Sequence, residues 1–312
     1  MNTMLEPRKK VGTNAIKPFS ISNALVGLQM GGVDEEVLEY FNYFSSLIPV
    51  EKACFLHVVN KPDIFNVYEM DSSPFSDVEL DKDMLIKLGK LVKTHMKGNK
   101  ELKINLDVMD GNPLEELLEK ADQLKSDFLV IGQNTENRHH GILAKNLARQ
   151  VWSNSMLIPD KAKLSLQNIL VPVDFSIHSA EALRIAVAIR KRLPHAAKVT
   201  LVHVYEMPAN YSAYRINEFK VKKMIEEDRV GALEQFIIEH VPEADRKDLD
   251  TALVNRSPHS IGHNLIGFAE QYGHDLIVMG AKGHSKLALL LMGSVTEKVF
   301  SHSQHIPVLI VK

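Results

Sequence analysis

The stretch "IVMGAKGHSKLALLLMGSV", residues 277–295, carries Gly280, Gly283 and Gly293, with Ser294 directly after the last. Residues of these types at this spacing suit anion binding. Gly280 closes a strand-like apolar run. Gly280 and Gly283 permit positive φ and close backbone approach, so the amides of the turn can face a ligand with no Cβ in the way. Gly293 and Ser294 would open a helix whose unpaired N–H groups and positive dipole end favour a phosphate, with Ser294 capping the helix or bonding the anion. The apolar residues 287–292 would form a loop over or beside the site. The phosphate loops G-x-x-x-x-G-K-[ST] and G-x-G-x-x-G are absent. Plainer roles exist for each residue, a tight turn for Gly280 and Gly283 and an ordinary helix start for Gly293 and Ser294.

The elements that must position these residues come in two copies. "NALVGLQMGGVDEEVLEYFNYFSSLIP" (23–49) aligns without a gap with "NILVPVDFSIHSAEALRIAVAIRKRLP" (168–194). "FLHVVNKP" (55–62) then answers "LVHVYEMP" (201–208), "DFLVIG" (127–132) answers "DLIVMG" (275–280), and "VWSNSMLIP" (151–159) answers "VFSHSQHIP" (299–307). Such self-similarity reads as a tandem repeat. The first helix keeps its apolar face in both copies: Val37, Tyr40, Phe41, Phe44 and Ile48 match Ala182, Ile185, Ala186, Ile189 and Leu193.

Each copy predicts an α/β domain of five strands alternating with four helices, its sheet parallel and covered on both faces because runs such as "ILVPV" and "LIVMG" are almost wholly apolar. In the second copy the expected strands are 168–174, 197–205, 249–254, 275–280 and 306–311, and the helices 177–193, 215–240, 257–273 and 294–303. The expected division is an N-terminal tail over 1–20, a first domain over 21–162 and a second over 163–312. The connection "DKAKLSLQ" (160–167) is too short for a free linker, so the domains should pack closely. The tail before Ala15 has no periodic pattern and is expected to be mobile or laid across the first domain.

Composition narrows the function classes. A chain of 312 residues, 45% hydrophobic, can bury cores for about two domains. A net charge of -2 gives no footprint for nucleic acid or anionic membrane. No apolar run approaches the roughly 18–20 residues that span a bilayer, and the basic N-terminal stretch lacks an apolar segment behind it. The expected compartment is the cytoplasm. The single cysteine, Cys54, lies in "ACFLHVV" and reads as buried and inert.

The second copy resembles the universal stress protein family, whose motif G-x2-G-x9-G-[ST] is met by Gly280, Gly283, Gly293 and Ser294. "NILVPVDFSIHSAEAL", "LVHVYE" and "HDLIVMGAKG" are similar to the family's first strand and helix, second strand, and fourth strand and turn. The resemblance covers nearly all of the second copy and, less specifically, most of the first. It implies a doubly wound, Rossmann-like sheet of the adenine nucleotide alpha hydrolase-like kind that binds ATP, with or without Mg²⁺. Carried onto this chain, the adenosine contacts are Asp174, Pro172 and Val204, and the phosphate side is Gly280, Gly283, Gly293, Ser294 and Val295, with Met279 in the strand beneath. Lys282 and His284 flank Gly283 and would pair with phosphates or stay solvated. Single-domain members form homodimers, which implies that the two copies here form an intramolecular pseudo-dimer.

The first copy departs from the motif. Aligned without a gap, Gly283 becomes Thr135, Gly293 becomes Lys145, Ser294 becomes Asn146 and Asp174 becomes Gln29. Loss of both glycines and a lysine where phosphates approach predict that the first domain does not bind ATP and serves as packing partner; a different ligand there is the alternative. Asp174 is also expected to cap the helix near Ile177. His259 and His263 stand at i, i+4 on a predicted helix without a third ligand, a solvated face rather than a metal site; His302 and His305 are weaker candidates still. His57 and His203 hold equivalent positions, which suits a structural role.

No carboxylate is placed as a base, so a sensor or regulator that binds ATP and acts through domain packing or partner contacts is favoured over an enzyme, with at most slow hydrolysis or autophosphorylation. The competing classes are a nucleotide-free scaffold or small-ligand sensor, and an adenylate-forming or ATP-cleaving enzyme, against which the absence of an S-G-G-x-D-S loop counts. The expected partners are the adenine nucleotide, the other half of the chain, an unnamed protein and, open, a second copy of the chain.

Overall fold

The computed structural model describes residues 15–59, 77–97, 99, 101–135, 140–194, 196–208, 217–283 and 292–312. The first half runs β1 (Ile21–Leu28), α1 (Asp34–Leu47), β2 (Val50–Val59), α2 (Asp77–His95), β3 (Lys103–Asp110), α3 (Pro113–Gln123), β4 (Phe128–Gln133), α4 (His140–Gln150) and β5 (Asn154–Pro159). The second half follows as β6 (Asn168–Pro172), α5 (Ile177–Arg190), β7 (Lys198–Tyr205), α6 (Glu218–His240), β8 (Leu249–Asn255), α7 (Ile261–Gln271), β9 (Leu276–Gly280), α8 (Ser294–His302) and β10 (Val308–Val311). The alternation is the expected one, and in the second half, where bounds were expected, each element ends within a few residues of them.

The ten strands form one sheet in the order β3-β2-β1-β4-β5-β10-β9-β6-β7-β8. Neighbours within a half are parallel, and the halves join through β5 and β10, which run antiparallel with Leu309 opposite Met156. Strands β4, β9 and β10 are buried along their whole length, as strands covered on both faces must be, whereas edge strands β3 and β8 are largely exposed or intermediate. One core cluster collects α1, α2, α5 and α6 through residues such as Phe44, Leu88, Leu183 and Leu233; the other collects α3, α4, α7 and α8 through Leu117, Leu147, Leu265 and Val299. Each cluster spans both halves. The predicted apolar face of α1 is fully buried at Val37, Tyr40, Phe41 and Phe44, each large side chain there contributing about 1.5–3 kcal/mol.

Equivalent turns recur in the two halves. Met30 and Phe175, after the first strand of each, hold positive φ of 57° and 62°. Asp127 accepts from the amides of Ser22 and Asn23, and Asp275 accepts from those of Gln167 and Asn168, so each half anchors the start of its first strand on the turn before its fourth. His57 Nδ1 bonds the Leu28 carbonyl at 3.0 Å and His203 Nδ1 that of Val173 at 2.8 Å, the shared structural role expected of the pair.

Residues 1–14, on which the expectation for the tail falls, lie outside the described residues. Residues 15–20 touch both halves: the Ile16 amide donates to Asp245 Oδ2 at 2.7 Å, Phe19 exchanges bonds with Ala188 and Arg192, and the Phe19 ring meets Phe128 edge-on at 6.2 Å between centroids. Burial of the Ile16 and Phe19 side chains explains the path. One expectation changes here, because the end-of-copy match is shifted. Leu129 pairs with Ser155 and its counterpart Ile277 pairs with Val308, so Ser155 answers Val308; Ser303, the residue matched by sequence, instead ends α8.

Candidate functional site

In each half the first strand lies between the second and the fourth, and the chain leaves in opposite directions from that point. Open α/β sheets bind ligands outside the carboxyl ends of their strands at such a reversal. In the second half the reversal falls between β6 and β9, whose register pairs Ile169 with Leu276 and Leu170 with Ile277. Asp174 therefore follows the end of one strand while Gly280 ends its neighbour.

A cavity of about 280 Å³ opens there. It brings together Pro172, Asp174, Val204, Met279, Gly280, Lys282, Gly283, Gly293, Ser294 and Val295, the sequence-derived set except His284, which lies outside the described residues, as does most of the expected covering loop. Met292, at that loop's end, is buried. Sequence reasoning missed Val202 and His203 beside Val204, Ser179 on α5, Ile261 and Leu265 on α7, and Thr296 on α8. Ile261 and Leu265 are spaced i, i+4, a legible apolar face, but nothing local says that this face meets the cavity.

Gly280 and Gly283 serve close approach, and the positive φ that glycine permits is not taken up at either: among the described residues the positive-φ glycines are Gly111 and Gly273. A Cβ on Gly280 would stand 2.7 Å from the backbone C and O of His178, because β9 packs directly against the first turn of α5. A Cβ on Gly283 would strike Asp174 Oδ2, whereas a Cβ on Gly293 would stand 3.6 Å from the Gly283 amide nitrogen, an ordinary contact. The turn and the start of α8 thus nest together, held by Gly293 N donating to Ala281 O and Thr296 Oγ1 donating to Gly280 O.

Gly293, not Ser294, is the N-cap of α8, and it gives no side-chain cap bond. Ser294 is exposed in the first turn at the cavity, where the helix N-terminus presents unpaired amides. Asp174 likewise does not cap α5: Ser176 does, accepting from Ser179 N, while Asp174 Oδ1 accepts from Ser176 N in a tight turn. His203 packs against Phe175 with ring centroids 4.7 Å apart. Burial lowers its pKa, against the Val173 carbonyl bond and Asp174, which raise it, so the ring is neutral at pH 7 with Nδ1–H donating. The arrangement offers an apolar end at Val202, Val204, Ile261 and Leu265, a carboxylate in the middle and an anion-favouring end at Ser294 and Lys282.

The corresponding place in the first half is built differently. Ala144, Leu147 and Ala148 are buried along α4 as Thr296, Val299 and Phe300 are along α8, so the helices correspond in that register. Gly141 then answers Gly293 and Ile142 answers Ser294, which corrects the gap-free matches to Lys145 and Asn146. Lys145 is not at a phosphate position; it answers Glu297 and pairs with it at 3.4 Å across the two halves. Thr135, which answers Gly283, is tied to Asp160 through Oγ1 at 2.7 Å.

The histidines do not form the expected helical pair. His259 precedes α7, which Ser260 caps, so His259 lies in the turn and only His263 is helical. His263 meets His302 at 5.2 Å between ring centroids, yet no group of three or more metal-ligating side chains fit for an ion occurs among the described residues. Cys54 is buried, and burial pushes its thiol up to about 11. No described helix is long and apolar enough to cross a membrane.

Comparison with known proteins agrees with this geometry. The model described as universal stress protein family matches residues 165–312. A universal stress protein of Methanocaldococcus jannaschii is 32% identical over 162 residues, 47% of this chain and 82% of that protein. A putative universal stress protein of Staphylococcus aureus is 31% identical over 144 residues, 45% of this chain and 81% of its own. The crystal structure of a universal stress protein from Archaeoglobus fulgidus, 17% identical, matches 96% of this chain and 97% of its own at a TM-score of 0.61, a likeness of fold. With its fourth-strand turn, its last helix and these relatives in agreement, the chain belongs to the universal stress protein family.

Proposed function

We propose that the second half binds ATP and that the chain works as a nucleotide sensor or regulator, not as an efficient enzyme. The observation that carries this reading is the convergence of Asp174, Gly280, Gly283, Gly293 and Ser294, distant in sequence, on one cavity at the strand-order reversal. The cavity's residues fit the nucleotide in kind. Val204, Ile261 and Leu265 suit the base, Asp174 suits the ribose hydroxyls as acceptor, and the first turn of α8 with Ser294 and Lys282 suits the phosphates. Bound ATP would supply negative charge at the α8 terminus, and the protein's part is to bind, orient and shield it. Among the described residues Asp174 is the one carboxylate lining the cavity, and in this reading it is engaged by the ribose, which leaves no second carboxylate there to act as a positioned base for phosphoryl transfer.

The first half acts, in this reading, as a nucleotide-free partner in an intramolecular pseudo-dimer; the antiparallel β5–β10 pair and the two shared core clusters support that role. The reading includes a cytoplasmic setting, with which the buried, unpaired Cys54 is compatible. The test is thermal unfolding with added nucleotide. A ligand that binds the folded state alone stabilises it by about 2.7 kcal/mol at a hundred times its Kd. ATP should raise the midpoint, with the ATP recovered intact afterwards; an unmoved midpoint at millimolar ATP contradicts binding, and rapid conversion to ADP contradicts the sensor role.

A further inference from the structure

Arg149, in the last turn of α4, belongs to the first half, yet it bonds Glu297 and Lys312, which stand directly beside cavity-lining residues of the second half. Its guanidinium bonds Glu297, which Lys145 also pairs at 3.4 Å. Glu297 sits in the first turn of α8, its amide donating to Gly293 O at 2.9 Å, next to Thr296, whose Oγ1 fastens that turn to the end of β9. On the other side the Arg149 carbonyl accepts from Lys312 Nζ at 3.2 Å. Lys312 directly follows β10, where Val311 pairs with Gly280 and bonds the Ala281 amide. Burial, and then the charge of cavity-lining Lys282, bring the Lys312 ammonium down to about 8, which places the two lysines within electrostatic reach.

We propose that Arg149 is a positioning residue for the phosphate end of the second half's site, so that nucleotide occupancy and the α4–α8 contact between the halves are coupled. The proposal rests on the nucleotide reading above. Two effects act together. A bare carboxylate in the first turn of α8 would repel an incoming polyphosphate, and Arg149 with Lys145 neutralises it; burial works against the Glu297 charge, yet the two cations outweigh it and hold its pKa below the usual range. The same pair fixes where the α8 terminus stands. Coupling of this kind is reciprocal, so a ligand that settles α8 must tighten its hold on α4.

The contact also belongs to the tandem chain alone. Lys145 and Glu297 occupy equivalent positions of α4 and α8, so two copies of either half would bring like charges together where this chain brings opposite ones.

The experiment compares ATP, which uses the phosphate end, with adenosine, which does not, by calorimetric titration of the full-length wild type, Arg149→Ala and Arg149→Lys. Arg149→Ala is expected to weaken ATP about tenfold and leave adenosine unchanged, with Arg149→Lys in between. In wild type, ATP should slow amide hydrogen exchange along α4, and Arg149→Ala should abolish that protection. Unchanged ATP affinity in Arg149→Ala, or a parallel loss of ATP and adenosine, overturns the proposal. Should Arg149→Ala fail to fold, Lys145→Met is expected to show the same split at about threefold, and equal affinities there overturn it too. Wild type that binds neither compound refutes the nucleotide reading itself, a result distinct from a variant that merely matches wild type.

Discussion

The two halves share a sheet order, a left-handed turn after the first strand and a histidine bonded to the same carbonyl, yet they differ at the edge where a ligand would enter. In the second half, among the described residues, Gly283 leaves room beside Asp174, and Ser294 faces the cavity. In the first half Thr135, which answers Gly283, is bonded to Asp160, and Ile142, which answers Ser294, is an exposed apolar side chain with no hydroxyl to offer an anion. The fold therefore does not require the ligand site. Its frame is held by core packing and strand anchoring.

The largest effect that would sharpen this contrast is on stability. Gly280→Ala would drive a Cβ to 2.7 Å from the α5 backbone, whereas Gly132→Ala meets Val37 Cγ2 at 2.6 Å, a single methyl of a side chain instead of main chain. Denaturant unfolding should show a loss of about 3 kcal/mol for Gly280→Ala and about 1 kcal/mol for Gly132→Ala. Equal losses would mean that the two turns are packed alike.

Next comes charge at the mouth of α8. Ser294→Asp should leave stability unchanged or slightly raised, since an acid in a first helical turn is favourable, while weakening ATP about a hundredfold through repulsion of its phosphates. Retained ATP affinity would remove the α8 terminus from the site. Asp174→Asn, toward the uncharged residue Gln29 of the first half, should weaken both ATP and adenosine about tenfold, as loss of a charged acceptor does. If ATP falls and adenosine does not, Asp174 serves the phosphates instead.

The smallest effect is a pH dependence. Burial lowers the pKa of His203, and that of His274, below the ordinary 6.5, so folding favours the neutral rings. Their contribution is fully present above about pH 6.5 and is lost as pH falls through the folded values. The denaturant midpoint should drop on acidification, and His203→Gln should shrink that drop; an unaltered slope would contradict a buried neutral His203.

How legible was this architecture beforehand? The strands were, because "DFLVIG" and "DLIVMG" are apolar throughout and only doubly covered strands read that way. The glycines and Ser294 were marked by their own spacing ahead of a helix, whereas Pro172, Asp174 and Val204 entered only through the family resemblance, since nothing local ties them to that turn. The register of the last helix was not: "VWSNS" and "VFSHS" invite a match that burial along α4 and α8 and the pairing of Ser155 and Val308 overrule, and both are tertiary facts. Nor could spacing say whether Gly280 serves φ or close approach, as one residue type meets both needs. Arg149 was invisible because nothing along α4 marks which of its faces will meet the other half.

The account stands most directly on the number of nucleotide sites. Calorimetric titration of nucleotide-stripped protein with ATP and Mg²⁺ should give one site per chain, lost in Ser294→Asp. Two sites per chain would contradict a closed first half, and no binding at any temperature would leave the cavity beside Gly280 without the ligand assigned to it.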